Sequence, residues 1–309
     1  METLAVVIEA PGALSLRRLG LSPPGDADVL VETEWSAIST GTEKLLWTGR
    51  MPDFPGMGYP LVPGYETVGR VVEAGASATH LLGERVFVPG ANCYQGARGL
   101  FGGSARRIVV PAARVVPVGD LGAEAVLLAL AATAHHALVG GALPDLIVGH
   151  GVLGRLAARL AVALGGAPTV WEIDPLRADG ARGYAVCHPE GDPVADRAAI
   201  LDLSGDSDLI DTLVGRLRKG GELVLGGFYR ERLSFAFTPA FRREARIRLA
   251  AEFGPGDVEA VRSMVADGRL PLGGLLTDIE DAASAARAYP RAFEDRACLK
   301  MILDWRAMA

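Results

Sequence analysis

The 309-residue sequence has few cysteines, no long apolar run and no excess of basic residues. Its three cysteines, Cys93, Cys187 and Cys298, are odd in number and widely spaced, so they do not indicate a disulfide framework. The longest apolar run, 125–132, is far shorter than the roughly 18 residues of a membrane span. The first residues lack the basic region of a signal peptide. These absences predict a cytoplasmic protein with no integral membrane segment.

The charge balance argues against nucleic acid as a partner. Lysine and arginine total 31 and aspartate and glutamate total 37, which gives a formal net charge of −6 at pH 7. Domains that bind nucleic acid usually carry a strong basic excess instead. The composition is 50% hydrophobic and 22% charged, as expected for a globular chain, and the length corresponds to about two domains.

Two patterns divide the chain. Short valine-rich segments separated by proline, glycine and aspartate predict β-strands at 5–9, 29–34, 68–74, 85–88 and 107–111. After residue 121, predicted helices alternate with a wholly apolar strand at 146–148 and mainly apolar strands at 169–173, 198–203 and 223–225. Such alternation is typical of a parallel sheet covered on both faces. The last residues are predicted to form a helix at 280–289 and a strand at 298–303.

A glycine-rich loop follows the first apolar strand and leads into a helix. Gly149, Gly151 and Gly154 have the G-x-G-x-x-G spacing, in which the glycines permit a tight turn, close approach of a pyrophosphate and close helix packing. The amides of Val152 and Leu153, at the start of the helix, would face that anion. The loop therefore predicts a dinucleotide site, with an ordinary strand-to-helix turn as the alternative.

An acidic residue after the next strand completes this pattern. Glu172 and Asp174 lie 18 and 20 residues beyond Gly154. A carboxylate here accepts hydrogen bonds from the adenosine ribose of NAD and repels the 2′-phosphate of NADP. We assign this role to Glu172 and expect Asp174 to cap the turn that begins at Pro175. Arg177 lies close enough in sequence to keep NADP as an alternative.

A β domain followed by this nucleotide-binding pattern resembles the medium-chain dehydrogenase/reductase superfamily over nearly the whole chain. The matching segments lie at 64–72 (GYETVGRVV), 82–86 (LGERV), 102–111 (GGSARRIVVP) and 298–300 (CLK). The resemblance implies an α/β fold in three parts. A GroES-like β domain at 1–120 precedes a Rossmann domain, a doubly wound parallel sheet, at 121–272, and a C-terminal segment at 273–309 returns to the first domain.

Four longer segments narrow the resemblance to the bacteriochlorophyllide a dehydrogenase family. They lie at 37–52 (AISTGTEKLLWTGRMP), 54–66 (FPGMGYPLVPGYE), 87–94 (FVPGANCY) and 132–138 (ATAHHAL). Members of this family oxidise the 3-(1-hydroxyethyl) group of a chlorin to 3-acetyl, with NAD as the hydride acceptor. The resemblance therefore implies an NAD-dependent secondary-alcohol dehydrogenase whose substrate is a bacteriochlorophyllide.

The sequence lacks the zinc ligands of the superfamily. Where zinc-dependent members carry Cys, His and Cys, this chain has Thr40, Tyr65 and Ala129, and Cys93 is the one cysteine in the stretch of a structural zinc lobe. A hydroxyl, a phenol and a methyl group do not supply the three strong ligands of a catalytic zinc. We therefore predict zinc-independent catalysis and no metal site, with a substitute site from Glu66, Cys93 and one of His135 or His136 as the alternative. The neighbouring Glu66 is expected to be a structural carboxylate tied to an arginine rather than a base.

Four polar residues are the candidates for handling the alcohol proton. By the resemblance, Thr42 matches a hydroxyl that relays this proton, and Tyr65 lies on the pocket wall. His135 and His136 follow Thr133, whose counterpart meets the nicotinamide end of the cofactor. A neutral imidazole suits the work of a base near neutral pH. The alternatives are that Thr42 only bonds within a turn and that Tyr65 only packs. His135 and His136 would then be ordinary helix residues.

Five large side chains are candidates for binding the pigment. They are Trp47, Phe54, Met57, Tyr59 and Tyr94. The segment from residue 47 to residue 59 has too many apolar groups for a solvated loop, and such groups suit the flat face of a tetrapyrrole. Ordinary packing between domains is the alternative.

Two other functions stay open at this point. One is a zinc-independent NADPH-dependent quinone or enone reductase of the same superfamily, which usually carries a basic residue where Glu172 stands. The other is a nucleotide-binding relative without catalysis. The sequence also leaves open a homodimer and a transient association with a membrane that holds the poorly soluble pigment.

Overall fold

The computed structural model describes residues 1–53, 55–229, 231–254 and 256–308 and divides the chain into two compact units. The first unit contains residues 1–129 and 275–309, and the second contains residues 130–274. The sequence predicts boundaries after residues 120 and 272, close to these two divisions. The C-terminal segment thus belongs to the same unit as the N-terminal strands.

The strands and α-helices are numbered in chain order. The elements up to residue 117 are β1 (Glu2–Ala10), β2 (Ala13–Leu21), β3 (Asp28–Ala37), α1 (Thr42–Thr48), β4 (Leu61–Val62), β5 (Thr67–Ala74), β6 (Arg85–Val88), β7 (Tyr94–Gln95), β8 (Arg98–Gly99), β9 (Arg107–Pro111) and β10 (Val116–Pro117). They are followed by α2 (Leu128–Val139), β11 (Leu146–Val148), α3 (Val152–Ala163), β12 (Thr169–Trp171), β13 (Ala185–Cys187), β14 (Arg197–Asp202), α4 (Ile210–Arg216), β15 (Leu217–Leu225), α5 (Phe237–Arg243), β16 (Arg246–Leu249) and α6 (Asp257–Ala266). The last three are β17 (Asp278–Asp281), α7 (Ala285–Glu294) and β18 (Met301–Asp304).

Two sheets form the first unit. One has the strand order β7-β2-β1-β4-β8, and the other has the order β10-β6-β5-β3-β18-β17, with β9 also paired to β3. Strand β18 pairs antiparallel with β3, so the C-terminal segment completes a sheet begun by the N-terminal strands. Its Met301, Ile302 and Leu303 are fully buried. Burial of this apolar strand is a main reason why the segment returns to this unit.

One parallel sheet forms the centre of the second unit. Its strand order is β13-β12-β11-β14-β15-β16, and every neighbouring pair in it is parallel. The three residues of β11 are at most 4% exposed although successive side chains point to opposite faces. The prediction of a parallel sheet covered on both faces is therefore confirmed. In such sheets ligands bind beyond the carboxyl ends of the strands, near the reversal of strand order, here between β11 and β14.

Two local predictions were wrong. The predicted helix at 280–289 begins only at Ala285, because residues 278–281 form β17 and pair with β18. The Asp281 carboxylate then accepts a hydrogen bond from the Ala283 N–H at 2.8 Å and starts the turn before α7. Trp47, predicted within a loop, lies instead in the last turn of α1. Among the described residues, no helix is long and apolar enough to cross a membrane.

Candidate functional site

The glycine-rich loop has the geometry of a dinucleotide cradle. Gly149 has a φ of 98°, in the left-handed region that favours glycine. A Cβ atom at Gly154 would lie 1.9 Å from the Gly149 carbonyl oxygen, so only glycine permits this approach of α3 to the loop. At Gly151 the nearest atom to such a Cβ is Arg177 Nη1 at 4.0 Å, which leaves open space at the start of α3. A pyrophosphate in this space would meet the unpaired amides of the first helical turn, at Val152 and Leu153.

Glu172 lies at the end of β12 and is joined to this loop. Its Oε2 accepts a hydrogen bond from the His150 N–H at 3.0 Å, and its Oε1 accepts one from the Asp174 N–H at 2.8 Å. An ionised carboxylate can accept about four hydrogen bonds, so two lone pairs stay available for ribose hydroxyls. Asp174 instead accepts from the Leu176 N–H at 3.0 Å and caps the turn that contains Pro175, as the sequence predicted.

His150, within the glycine-rich loop, fixes the loop that follows β12. The imidazole is fully buried, with Nδ1 at 2.6 Å from the Arg177 carbonyl oxygen and Nε2 at 2.8 Å from the Tyr184 hydroxyl. Since a carbonyl only accepts, Nδ1 carries the hydrogen and Nε2 accepts from the phenol. Burial lowers the pKa of His150, which keeps the ring neutral in this arrangement. The ring thus ties the backbone of Arg177 to the glycine-rich loop.

His135 and His136, on helix α2, contact one shared carboxylate. His135 Nδ1 lies 2.6 Å from Asp257 Oδ1, and His136 Nδ1 lies 3.0 Å from Asp257 Oδ2. Asp257 begins helix α6 and also accepts from the Gly254 N–H at 2.7 Å. Burial raises the pKa of Asp257, but the hydrogen bonds from His135 and Gly254 outweigh it and hold this pKa below its usual range. Thr133 is half-buried on the same helix.

Tyr65 and Ser39 form a polar pair in the first unit. The Tyr65 hydroxyl lies 2.7 Å from Ser39 Oγ. Burial raises the pKa of Tyr65, and the nearby Glu66 carboxylate adds to the shift, while hydrogen bonding with Ser39 and Thr42 acts against it. The phenol therefore stays protonated at neutral pH and is able to donate one hydrogen bond. Thr42, the first residue of α1, lies close enough to take part in this group.

Glu66 lies in a buried ion pair, but its partner is a lysine. Lys300 Nζ donates to Glu66 Oε1 at 2.6 Å, and both residues are at most 1% exposed. The predicted arginine partner was wrong, because the segment before β18 brings Lys300 to this place. Glu43 is fully buried nearby, and its Oε1 accepts from the Ser39 N–H at 3.2 Å. Burial raises the pKa of Glu43 to about 7, with the Tyr289 phenol acting against the shift.

The candidate pigment-binding residues fall into two groups in the first unit. Met57 and Tyr59 pack with Phe101 against the core cluster of Ile8, Leu46, Leu61 and Leu100, whereas Tyr94 packs against a different cluster. The hydroxyl groups of Tyr59 and Tyr94 donate to the backbone carbonyls of Leu46 and Gly102, so both residues offer ring faces rather than polar groups. Trp47 is half-buried at the end of α1. Phe54 lies outside the described residues.

The donor set at the three positions matched to zinc ligands does not fit zinc. Thr40 is a weak ligand, Ala129 has no donor, and the Tyr65 phenol is held protonated. Among residues 1–53, 55–229, 231–254 and 256–308, no group of three His, Cys, Asp or Glu side chains could hold a metal ion. The side chains at these positions therefore act through hydrogen bonds rather than as metal ligands.

Four contributors to these clusters escaped the sequence analysis. Ser39, Phe101, Asp257 and Lys300 each lie next to a candidate residue. Ser39 lies just beyond β3, and the pairing of β3 with β5 could have indicated that it is near Tyr65. The edge-to-face contact of Phe101 with Tyr65, with ring centroids 5.2 Å apart, is evident only from the structure. Asp257 is 122 residues from His135, and no local pattern signals that contact.

Comparisons with known proteins agree with this architecture. Residues 25–120 match the family model of the alcohol dehydrogenase GroES-like domain. The chain is 57% identical to the 2-desacetyl-2-hydroxyethyl bacteriochlorophyllide A dehydrogenase of Rhodobacter capsulatus, covering 99% of both chains. It is 54% identical to the protein of the same name from Cereibacter sphaeroides, covering 100% of both. In structure it is similar to L-idonate 5-dehydrogenase from Escherichia coli, with a TM-score of 0.86, 18% identity and 98% of each chain covered. The predicted fold class, a GroES-like domain with a Rossmann domain, is confirmed.

The buried Glu43 carboxyl should make stability depend on pH. Its pKa is about 7 in the folded chain against an ordinary value of 4.5, so the folded state holds the proton more tightly. Its contribution to the free energy of unfolding therefore falls as pH rises from about 4.5 to about 7. A Glu43→Gln variant has no carboxyl group at this position, so its free energy of unfolding lacks this decrease with rising pH. Between about pH 5 and pH 8, the wild type should lose on the order of 1–3 kcal/mol relative to the variant.

Urea unfolding at both pH values measures this difference. Glu84→Gln is the matched control, because Glu84 is exposed and the substitution should leave the pH dependence of the wild type unchanged. A constant difference in unfolding free energy between the wild type and Glu43→Gln at the two pH values would contradict the assignment.

Proposed function

Because the chain belongs to the 2-desacetyl-2-hydroxyethyl bacteriochlorophyllide A dehydrogenase family, we propose that it oxidises the hydroxyethyl side chain of a bacteriochlorophyllide to an acetyl group. The identity of 57% over nearly the full length is the observation that carries this proposal. The chain is an oxidoreductase of the medium-chain dehydrogenase/reductase type. A cytoplasmic location, a transient membrane association and a homodimeric state stay predictions from the sequence.

The cofactor of this enzyme is a nicotinamide dinucleotide, and we assign NAD rather than NADP. The glycine-rich loop leaves space for a pyrophosphate, and Glu172 is fixed beside it by two backbone N–H groups. A 2′-phosphate on the ribose would bring negative charge next to this carboxylate. Arg177 Nη1 lies near Gly151, where it would meet the pyrophosphate or ribose and partly offset that repulsion. When bound, NAD supplies the oxidised ring that accepts a hydride.

The reaction breaks two bonds of the secondary alcohol. The carbinol C–H bond breaks with its electron pair leaving as hydride, the O–H bond breaks with loss of a proton, and a C=O bond forms. The protein must therefore stabilise negative charge on the alcohol oxygen and take up one proton. Because the donor set does not fit a metal ion, both tasks fall to hydrogen-bonding side chains.

Tyr65 and Thr42 are the candidates for binding the alcohol oxygen. The Tyr65 phenol is protonated, so it donates a hydrogen bond that strengthens as negative charge develops on the oxygen. Ser39 Oγ, at 2.7 Å from the phenol oxygen, orients this hydroxyl. His135 and His136 are the candidates for taking up the proton, because an imidazole accepts a proton readily near neutral pH.

The pigment is assigned to the apolar side chains of the first unit. Trp47, Met57, Tyr59 and Tyr94 are each half-buried and so keep part of their surface exposed. The two tyrosine hydroxyls are bonded to backbone carbonyls, which leaves ring surfaces for contact with a flat macrocycle. A small alcohol would leave these surfaces unused.

Neither alternative function is favoured. A quinone or enone reductase would add hydride to a C=C bond with NADPH, but the carboxylate of Glu172 disfavours NADPH, and the two bacterial relatives are named as dehydrogenases of a hydroxyethyl pigment. A nucleotide-binding protein without catalysis would not explain that identity with enzymes over the whole chain.

A direct assay tests the proposed activity. Purified protein with NAD and a 3-(1-hydroxyethyl) bacteriochlorophyllide should convert the pigment to its 3-acetyl form, with one NADH formed for each pigment oxidised. Absorption spectra follow both products.

Trimming the Tyr59 ring in a Tyr59→Ala variant should raise the KM for pigment and leave NAD affinity nearly unchanged. Turnover of ethanol at the same kcat/KM would count against the substrate assignment.

The cofactor assignment is tested by removing one carboxylate. A Glu172→Ser variant loses both the ribose contact and the repulsion of a 2′-phosphate, so the ratio of the NADP and NAD dissociation constants should fall by an amount equivalent to about 1–3 kcal/mol. The ratio is measured because loosening of the loop would weaken the binding of NAD and NADP alike and would cancel in the ratio. Asp174→Asn is the matched control and should keep the wild-type ratio, since the amide oxygen still caps Leu176. A wild-type preference for NADP in titration would overturn the assignment.

A further inference from the structure

One carboxylate serves two neighbouring histidines in the second unit. Asp257 Oδ1 lies 2.6 Å from His135 Nδ1, and Oδ2 lies 3.0 Å from His136 Nδ1. Oδ2 also accepts from the Gly254 N–H at 2.7 Å. The His135 side chain is 12% exposed, that of His136 is 39% exposed and that of Asp257 is 8% exposed. The carboxylate is thus shielded from water and receives three donors.

These contacts determine where the hydrogen of each ring lies. An ionised carboxylate only accepts hydrogen bonds, so both Nδ1 atoms must carry a hydrogen. In a neutral imidazole the other nitrogen then holds a lone pair, and this nitrogen is Nε2 in both rings. Asp257 therefore presents two histidines as proton acceptors through Nε2. It also stabilises the cation that forms when either ring takes up a proton.

This group lies at the ligand-binding edge of the parallel sheet. Arg248 of β16 donates from Nη2 to the Ala137 carbonyl oxygen of α2 at 2.7 Å. A Cβ at Gly226, just beyond the carboxyl end of β15, would lie 3.9 Å from Ala137 Cβ. Gly254 follows β16. Helix α2 thus passes the carboxyl ends of two strands, where nucleotides bind in sheets of this kind.

We propose that Asp257 is the positioning residue of the proton acceptor, holding His135 with its hydrogen on Nδ1 so that Nε2 takes the proton of the alcohol. The inference rests on the proposed function. His135 is chosen over His136 because it has the shorter contact to Asp257 and is the more buried ring. The O–H bond of the alcohol breaks, its proton passes to His135 Nε2, and the imidazolium is paired with the Asp257 carboxylate as the hydride leaves the carbinol carbon.

An Asp257→Asn substitution should change the hydrogen position of one histidine and not that of the other. The amide oxygen must take the Oδ2 position, because the Gly254 N–H donates there and a second donor would be repelled. The amide nitrogen then takes the Oδ1 position and donates to His135 Nδ1. The hydrogen of this ring must then move to Nε2, so Nε2 no longer has a lone pair that can accept the proton of the alcohol. His136 still faces the amide oxygen and keeps its hydrogen on Nδ1.

Long-range 1H–15N NMR of protein labelled with 15N-histidine reads these states directly. The chain has five histidines, so assignment needs few variants, and neither pigment nor cofactor is required. In the wild type, His135 and His136 should both carry the hydrogen on Nδ1. In Asp257→Asn, the signal of His135 alone should change to that of an Nε2–H ring. A wild-type His135 with its hydrogen on Nε2 would overturn the inference, even if the variant fails to fold.

Kinetics complete the test. In Asp257→Asn, kcat for pigment oxidation should fall by about a hundredfold, the scale of a lost general base, with KM for pigment nearly unchanged. Asp267→Asn, after the end of the same helix and exposed, should keep wild-type kcat. A changed His135 signal with unchanged kcat would overturn the role of Asp257 in the reaction. Absence of turnover in the wild type, with both rings in the expected form, would contradict the proposed function instead.

Discussion

The buried pair of Lys300 and Glu66 is the constraint on which the first unit depends. The ammonium group lies 2.6 Å from the carboxylate, and the two residues are separated by 234 positions in the sequence. Removing one partner of such a pair leaves an uncompensated charge, which typically costs about 3–5 kcal/mol. The pair therefore fixes the segment before β18 against the start of β5. It also places Tyr65, the neighbour of Glu66, where Ser39 can orient its hydroxyl.

Fixed carboxylates organise both halves of the proposed chemistry in the second unit. Glu172 joins the glycine-rich loop to the loop after β12 and keeps lone pairs for a ribose. Asp257 joins α2 to the start of α6 and sets the hydrogen positions of two imidazoles. In the first unit, Tyr65 supplies a protonated phenol. A phenol and an imidazole are the two kinds of group that the proposed reaction needs, a hydrogen-bond donor for the alcohol oxygen and an acceptor for its proton.

Local patterns predicted the central strands and the glycine-rich loop of the nucleotide half, because apolar runs and glycine spacing are set by neighbours in sequence. Strands β11 and β14 and the cap at Asp174 were foreseen for this reason. Strands β13 and β16 and helices α5 and α6 were not predicted. Strand β2 escaped notice because it carries Arg17 and Arg18 and most of its residues stay partly exposed. Lys300 and Asp257 escaped because a contact across more than a hundred residues depends on the tertiary fold, which no short pattern encodes.

Oxidation of the alcohol without a metal ion is the central feature of the proposed chemistry. The most direct measurement is elemental analysis of untagged, active protein, combined with turnover of the hydroxyethyl pigment before and after dialysis against a chelator. Since Thr40, Tyr65 and Ala129 do not form a zinc site, we expect far less than one zinc per chain and unchanged turnover. About one zinc per chain, with activity lost on its removal and restored on its return, would contradict this chemistry.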